Sequence, residues 1–171
     1  MSEKRQDKKE QFTEPEKKNS KVMLIVCVAL AVVVGIGAAF ALNQSSDGGY
    51  LTVKSVNGEV RLDVSKIDDG QAHYFKYATA NGEINFFVIK SVDGEMRAAF
   101  DACDVCYREK KGYRQEGTMM VCNNCGMKFR SDMINLVKGG CNPAPLNRRI
   151  DGGQLVINDS DIVKGAWYFG G

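Results

Sequence analysis

Apolar and polar positions divide the chain into stretches of different character. Residues 1–21 are polar and charged, with Phe12 as the one aromatic side chain, and such a segment cannot bury enough surface to fold alone. Residues 22–42 are uncharged and almost wholly aliphatic, and about 20 such residues are what a helix needs to cross a bilayer. From residue 50 onward, short runs alternate between apolar and polar residues, which predicts strands. The pattern therefore predicts a tail, a membrane anchor and a β domain over 50–171.

Charge on either side of the predicted anchor indicates its orientation. Lysine and arginine residues are frequent in 1–21, whereas the polar, glycine-rich linker 43–49 carries none, so the positive-inside rule predicts a cytoplasmic tail and an extracytoplasmic domain. A cleaved signal peptide is the alternative, because Ala39-Phe40-Ala41 has small residues suited to processing. Signal peptides have shorter apolar regions, about 7 to 15 residues, which favours a retained anchor. We expect a single-pass protein of the cell membrane that contacts lipid through 22–42.

Three glycine-containing turns organise the first half of the exported domain. Asn57-Gly58, Asn81-Gly82 and Asp93-Gly94 each lie between alternating runs, which is a strong signal for a β-hairpin. We therefore expect three successive hairpins, which together form an antiparallel meander that ends at Asp101.

Few regular elements are predicted beyond this meander. Two strands are expected at Gln154–Ile157 and Ala166–Phe169, whereas 132–137 has at most one or two helical turns. There is no long amphipathic helix and no fixed-period repeat. The fold class predicted from the residues is mainly β, small and antiparallel, with long loops.

The charge balance of the exported part excludes one class of partner. Residues 43–171 hold sixteen Lys/Arg and sixteen Asp/Glu, so the formal net charge of +2 belongs to the tail. Such a balance gives no basic face for nucleic acid, and we expect no nucleic-acid partner.

Five of the six cysteines lie in the exported domain, and their spacing predicts a metal site. Cys103 and Cys106 form one C-x-x-C knuckle, and Cys122 and Cys125 form a second knuckle fifteen residues later. Two knuckles at this separation fold four thiolates toward one point, and thiolates select zinc, cuprous copper or iron with sulfide. We predict these four cysteines as ligands, with Cys141 as a candidate fifth.

Other interpretations of the cysteines stay open at this stage. A zinc ribbon would make them a fold staple without redox chemistry, and the extracytoplasmic location permits disulfides. An odd number of exported cysteines argues against a structure held by disulfides alone. A thiol-disulfide oxidoreductase is disfavoured because neither knuckle is followed by a thioredoxin-like helix.

The remaining candidate residues have simpler explanations. His73, the only histidine, lies in a predicted strand far from the knuckles and is expected to be structural rather than a ligand. Asp101 and Asp104 flank the first knuckle and are expected to cap turns, with a role as hard metal ligands as the alternative. Four aromatic residues are expected in the core, with shielding of the centre as the alternative role: Tyr107, Tyr113, Phe129 and Trp167. No catalytic set is found, so electron transfer or metal binding is expected rather than enzymatic turnover.

Three stretches around the cysteines resemble the cluster-binding layout of Rieske proteins, namely 93–103, 122–129 and 139–146. In those proteins an Asp-Gly hairpin leads through a strand into a first ligand loop, and a Cys-x-x-His-Gly loop follows. Here Cys106 and Cys125 stand in for the histidines of that pattern. Four thiolates would place a [2Fe-2S] centre near about −400 mV, rather than the roughly −150 to +300 mV of Rieske centres.

A second resemblance covers most of residues 50–157. The blocks that carry it are 72–77, 86–88, 97–106, 112–117, 120–126 and 139–143. In these blocks the chain is similar to the FtrD-like family of bacterial membrane iron-sulfur proteins, some of whose members are associated with ferrous-iron uptake systems.

The family resemblance implies a cofactor and partners. We expect an iron-sulfur cluster, [2Fe-2S] in type, with zinc as the alternative metal. The expected partners are a membrane permease or transporter complex and a redox partner. The alternative function is a zinc-stapled accessory module of a membrane transporter, without redox activity.

Overall fold

The computed structural model describes residues 46–47 and 49–170 of the 171-residue chain. The predicted tail and the predicted anchor at 22–42 lie outside the described residues. Within the described residues, no helix has the length and apolar character needed to cross a membrane.

Strands dominate the described part of the chain, which confirms the mainly β class. In chain order the strands are β1 (Ser46–Asp47), β2 (Tyr50–Val53), β3 (Glu59–Asp63), β4 (His73–Thr79), β5 (Gly82–Lys90), β6 (Met96–Phe100), β7 (Tyr113–Glu116), β8 (Met119–Cys122), β9 (Lys128–Arg130), β10 (Arg149–Asp151) and β11 (Gln154–Asn158). One short α-helix, α1 (Asp159–Val163), follows β11. Single 3-10 turns occupy Val64–Lys66, Tyr107–Glu109, Ser131–Met133 and Ala166–Phe169.

The largest sheet has five strands in the order β1-β2-β4-β5-β6. The hairpin predicted at Asn81-Gly82 is confirmed, because β4 and β5 are antiparallel with Thr79 opposite Gly82. The hairpin predicted at Asp93-Gly94 is also confirmed, because β5 and β6 are antiparallel with Lys90 opposite Met96. The β2–β4 pair is parallel, so this sheet is mixed at one pair.

The hairpin predicted at Asn57-Gly58 is wrong, although the turn itself forms. Val56 and Glu59 exchange two backbone hydrogen bonds across it, and both central residues have positive φ. Beyond this bridge the strands separate, since β2 pairs with β4 and β3 pairs with β11. Leu62 pairs opposite Leu155, and both side chains are buried. The turn chemistry is local, whereas the choice of partner strand follows from this distant apolar burial.

Two smaller sheets complete the domain. The first has the order β10-β11-β3, and the second has the order β7-β8-β9. The second sheet corrects the expectation that strands stop at Asp101 and resume at Gln154, because its first two strands lie between the knuckles. Tyr113, Met120 and Cys122 lie on the same face of these strands and are buried, so the sheet has an apolar face of its own.

The strand predicted at Ala166–Phe169 is a 3-10 turn instead. Successive side chains of a strand point to opposite faces. Here the rings of Trp167 and Tyr168 stack with centroids 3.7 Å apart, which a strand does not allow. The helical character expected over 132–137 is limited to the single turn Ser131–Met133 and the irregular turns after it.

β5 is buried on both faces and separates two apolar cores. Phe86 and Val88 point into the larger core, which β3, β6 and β11 also line. Phe87 and Ile89 point into a second, smaller core. Five further buried residues of this second core are Ala99, Tyr113, Met120, Cys122 and Ile134, and Cys103 belongs to it as well. The second core therefore holds one cysteine from each knuckle.

Candidate metal centre

The first ligand loop leaves β6 and is fixed by the segment that carries Cys141. The Phe100 amide donates to the Ala144 carbonyl, and the Ala144 amide donates to the Ala102 carbonyl. Cys103 then turns inward and is almost fully buried. The Cys106 amide donates to Cys103 Sγ at 3.2 Å, which stabilises negative charge on that sulfur.

The second ligand loop is a tight turn at the end of β8. The Cys122 amide donates to the Met127 carbonyl, and the Gly126 amide donates back to the Cys122 carbonyl. Gly126 has a φ of +73°, a conformation that glycine adopts without strain. Cys122 is consequently buried, whereas Cys125 lies at the exposed tip of the turn.

The thiols form two triads that share one cysteine. The inner triad is Cys103, Cys106 and Cys122, and the outer triad is Cys106, Cys125 and Cys141. Within each triad all Sγ atoms lie within 4.8 Å of one another. The structure thus brings all four predicted ligands and Cys141 together, but it divides the second knuckle between the two triads.

The spacing of the thiols suits a tetrahedral metal. Cys106 Sγ and Cys141 Sγ are 3.9 Å apart. Two thiolates at about 2.3 Å from one tetrahedral ion are separated by roughly 3.8 Å. Cys141 is therefore within ligand range of the same position as Cys106, as a candidate fifth thiolate.

A cavity of about 180 Å³ adjoins the inner triad. Liquid water takes about 30 Å³ per molecule, so the space exceeds what a single metal ion needs. Three thiols form part of its wall, and its polar lining includes Tyr50, Asn85 and Asp101. The Oδ1 atom of Asn85 is buried without a hydrogen-bond partner among the described residues. The donor set and the space fit either a metal ion or an iron-sulfur cluster.

Asp101 is a buried hydrogen-bonding centre rather than the turn cap expected from the sequence. Its Oδ1 accepts from the Tyr113 amide at 2.7 Å, and its Oδ2 accepts from the Tyr50 hydroxyl at 2.5 Å. Burial raises the pKa of this carboxyl group, and these two hydrogen bonds oppose the shift. Asp101 thereby ties β2 and β7 to the loop that begins two residues before Cys103. Sequence reasoning missed Tyr50, whose partner Asp101 lies 51 positions away, and Asn85, which the fold brings to the wall of the cavity.

The other candidates take the positions of structural residues. His73 Nε2 lies 2.9 Å from Asp69 Oδ1 and belongs to neither triad. Asp104 Oδ1 accepts from the Tyr168 hydroxyl at 2.6 Å, a contact between residues 64 positions apart, so the turn-capping role stays a prediction. Tyr113 is buried in the second core, and Tyr107 and Phe129 are partly buried against the two cores. Trp167 corrects the core expectation, because it is 49% exposed and stacks on Tyr168.

Metal binding is expected to strengthen as the pH rises. Burial raises the pKa of Cys122 to about 11 and that of Cys141 to about 12, so both thiols are protonated at neutral pH without metal. A thiol must lose its proton to bind a metal. When the pH is below the pKa of the thiol, displacing that proton lowers the affinity for the metal. The affinity of the metal-free protein for Zn²⁺ should therefore rise by about tenfold per pH unit for each such proton between pH 6 and 8.

A competition titration against a chromophoric chelator measures this dependence. The Cys141→Ser variant is the control, because it lacks one protonated thiol and keeps the four predicted ligands. A shallower slope in this variant would mean that Cys141 binds the metal, and an unchanged slope would mean that it does not. An affinity independent of pH would contradict the protonated state of the buried thiols.

A mainly β domain whose loops gather five free cysteines, three of them lining a cavity, has the features of a thiolate metal-binding protein. Residues 67–169 match the family described as "Membrane iron-sulfur containing protein FtrD-like". This match covers more than half of the chain, and the chain belongs to the FtrD-like family. The assignment confirms the resemblance seen in the cysteine blocks. The description of the family also supports an association of this chain with membranes.

Two other comparisons add little to this assignment. A search of curated proteins gave no match. Among solved structures, the chain is similar to the quaternary ammonium Rieske monooxygenase CntA in complex with an inhibitor, at 18% identity and a TM-score of 0.37. The similarity covers 57% of this chain and 30% of the monooxygenase chain. A match at this level does not by itself assign a fold.

Proposed function

We propose that this chain is a membrane-anchored, extracytoplasmic iron-sulfur protein that transfers electrons. The observation that carries the proposal is the convergence of five thiols, three of which line a cavity, in a member of a family described as containing iron and sulfur. Cys103, Cys106, Cys122 and Cys125 would hold the cluster, with Cys141 as a further thiolate. A bound iron-sulfur cluster supplies a one-electron redox couple.

The inner side of the site is suited to excluding water. Cys103 and Cys122 are at most 2% exposed, and Phe87, Tyr113 and Ile134 pack in the same core. Thiolates in such surroundings need hydrogen-bond donors to offset their charge. The amides of neighbouring residues supply these donors to Cys103 and Cys122.

The outer side of the site is suited to electron exchange. Cys125 is exposed, and the Met127 amide donates to its sulfur, which lowers the pKa of the thiol. Two apolar side chains beside the knuckles, Val105 and Met127, are 62% and 53% exposed. Apolar groups left exposed next to a redox centre favour docking of a partner at that point.

The setting of this activity is proposed from the sequence and the family. A single transmembrane span at 22–42 would anchor the protein in the cell membrane, with the β domain on the extracytoplasmic side. The partners would be a redox protein and a membrane permease or transporter complex, and the association of some relatives with ferrous-iron uptake supports a role in iron handling.

Metal and sulfide analysis of the native protein tests the proposal. The full-length chain, purified in detergent without oxygen from iron-replete cells, should contain about two iron and two sulfide ions. Its reduction potential should be about −400 mV. Visible absorption should bleach on reduction and return on oxidation.

Stoichiometric zinc without sulfide would refute the iron-sulfur proposal. That result would favour the alternative, a zinc-stapled accessory module. Zinc also suits the fifteen-residue separation of the knuckles and the 3.9 Å distance between Cys106 Sγ and Cys141 Sγ.

A further inference from the structure

Cys141 lies on a short loop whose own hydrogen bonds do not fix its distance from the knuckles. Gly139 and Gly140 both have positive φ, and the Asn142 amide and side chain donate to the Gly139 carbonyl. These contacts close the turn upon itself. The link from Ala144 to Ala102 anchors the loop only three residues after Cys141.

Tyr113 makes the contact that joins this loop to the rest of the centre. Its hydroxyl donates to the Cys141 carbonyl at 2.6 Å. Because the accepting atom belongs to Cys141 itself, the hydrogen bond fixes the backbone that carries the thiol. Cys141 Sγ then lies 3.9 Å from Cys106 Sγ.

Tyr113 is itself attached to both other cysteine loops. Its amide donates to Asp101, next to the first loop, and it pairs opposite Cys122 in the β7–β8 ladder. Its carbonyl accepts from the Tyr74 hydroxyl at 3.1 Å, and its side chain is 4% exposed. One rigid residue therefore sets the position of all three cysteine loops relative to one another.

We propose that Tyr113 is a positioning residue. Its hydroxyl holds Cys141 close to Cys106 and Cys125, so that Cys141 completes the outer triad. The consequence of this inference rests on the proposed function. A cluster held by four thiolate ligands would have a fifth thiol within reach on its exposed side. The outer ligation could then be exchanged between thiols without loss of the cluster. Removal of the Tyr113 hydroxyl releases Cys141 and leaves the ring in place.

The Tyr113→Phe variant tests this inference in two ways, with Tyr74→Phe as the matched control. Both variants remove one hydroxyl from the same cluster of side chains, but only Tyr113 contacts Cys141. In metal-free full-length protein, the rate of iodoacetamide labelling at Cys141, followed by peptide mass spectrometry, should rise about fivefold in Tyr113→Phe and stay within about twofold of the parent in Tyr74→Phe. Equal labelling in the two variants would overturn the proposal.

The second readout is the electron paramagnetic resonance spectrum of the reduced, metal-loaded protein. Tyr113→Phe should shift the spectrum at unchanged iron content, and Tyr74→Phe should not. The shift should become smaller when Tyr113→Phe is made in a Cys141→Ser background, because Tyr113 acts chiefly through Cys141, while its hydroxyl also hydrogen-bonds Cys103. A shift of unchanged size in that background, or an unchanged spectrum in Tyr113→Phe, would overturn the positioning role.

The two readouts separate failure of this inference from failure of the proposed function. Absence of iron and sulfide from the parent protein defeats the iron-sulfur proposal, yet the labelling of metal-free protein still decides whether Tyr113 positions Cys141. A parent protein that carries the cluster, with no effect of Tyr113→Phe on labelling, defeats the positioning role alone.

Discussion

Cys122→Ser is expected to remove most of the bound metal and to destabilise the whole domain. Cys122 is buried at the end of β8 and belongs to the inner triad and the second core, so its replacement affects both at once. A metal that binds only the folded chain stabilises it, so loss of the metal removes that contribution from the free energy of unfolding. A buried serine hydroxyl without a partner costs about 1–3 kcal/mol more.

Metal content and thermal unfolding of the full-length variant measure this effect. Cys141→Ser is the informative comparison, since Cys141 belongs only to the outer triad and lies near two other thiols. It should keep the metal stoichiometry of the parent and most of its stability. Equal metal loss in both variants would instead make Cys141 a required ligand, and no loss in Cys122→Ser would contradict the predicted ligand set.

The second large effect is expected from Gly112→Ala. A Cβ at this position would lie 2.0 Å from Asp101 Oδ2 and 2.5 Å from its Cγ, so the carboxylate must move. That movement breaks the hydrogen bonds that Asp101 accepts from Tyr50 and Tyr113. Together with the strain of alanine at a φ of +61°, we expect a loss of about 3–5 kcal/mol.

Gly117→Ala is a close control for this substitution. Gly117 has nearly the same φ, +58°, but a Cβ there meets no atom within 4 Å. It should show only the backbone strain, about 1–2 kcal/mol. Denaturant unfolding of both variants isolates the cost of displacing Asp101, and equal destabilisation would contradict the close packing of Gly112 on that carboxylate.

Local turn chemistry explains which parts of the fold are predictable from the sequence. The hairpins at Asn81-Gly82 and Asp93-Gly94 form because the turn and both flanking strands are neighbours in the chain. At Asn57-Gly58 the turn forms as well, but the flanking strands bury their apolar residues against strands far away in sequence. At Ala166–Phe169 four apolar residues predict a strand, but the segment forms a 3-10 turn in which the rings of Trp167 and Tyr168 stack.

The candidate site is predictable in composition but not in arrangement. C-x-x-C spacing identifies four of the thiols, because a knuckle is a local structure. The division of Cys122 and Cys125 between two triads depends on the β7-β8-β9 sheet, which buries one and exposes the other. The Tyr50 hydroxyl reaches Asp101 across 51 positions of the sequence, a contact that no local pattern encodes.

The double-sided burial of β5 has a consequence for how the domain opens. One face of this strand belongs to the core that holds Cys103 and Cys122, and the other belongs to the core of the larger sheet. A fluctuation that exposes the thiols therefore removes support from the far side of the same strand. The amide protons of Phe86 to Ile89 should exchange with solvent only in the least frequent openings. Occupancy of the metal centre should therefore lengthen the lifetime of the opposite core, and loss of occupancy should shorten it.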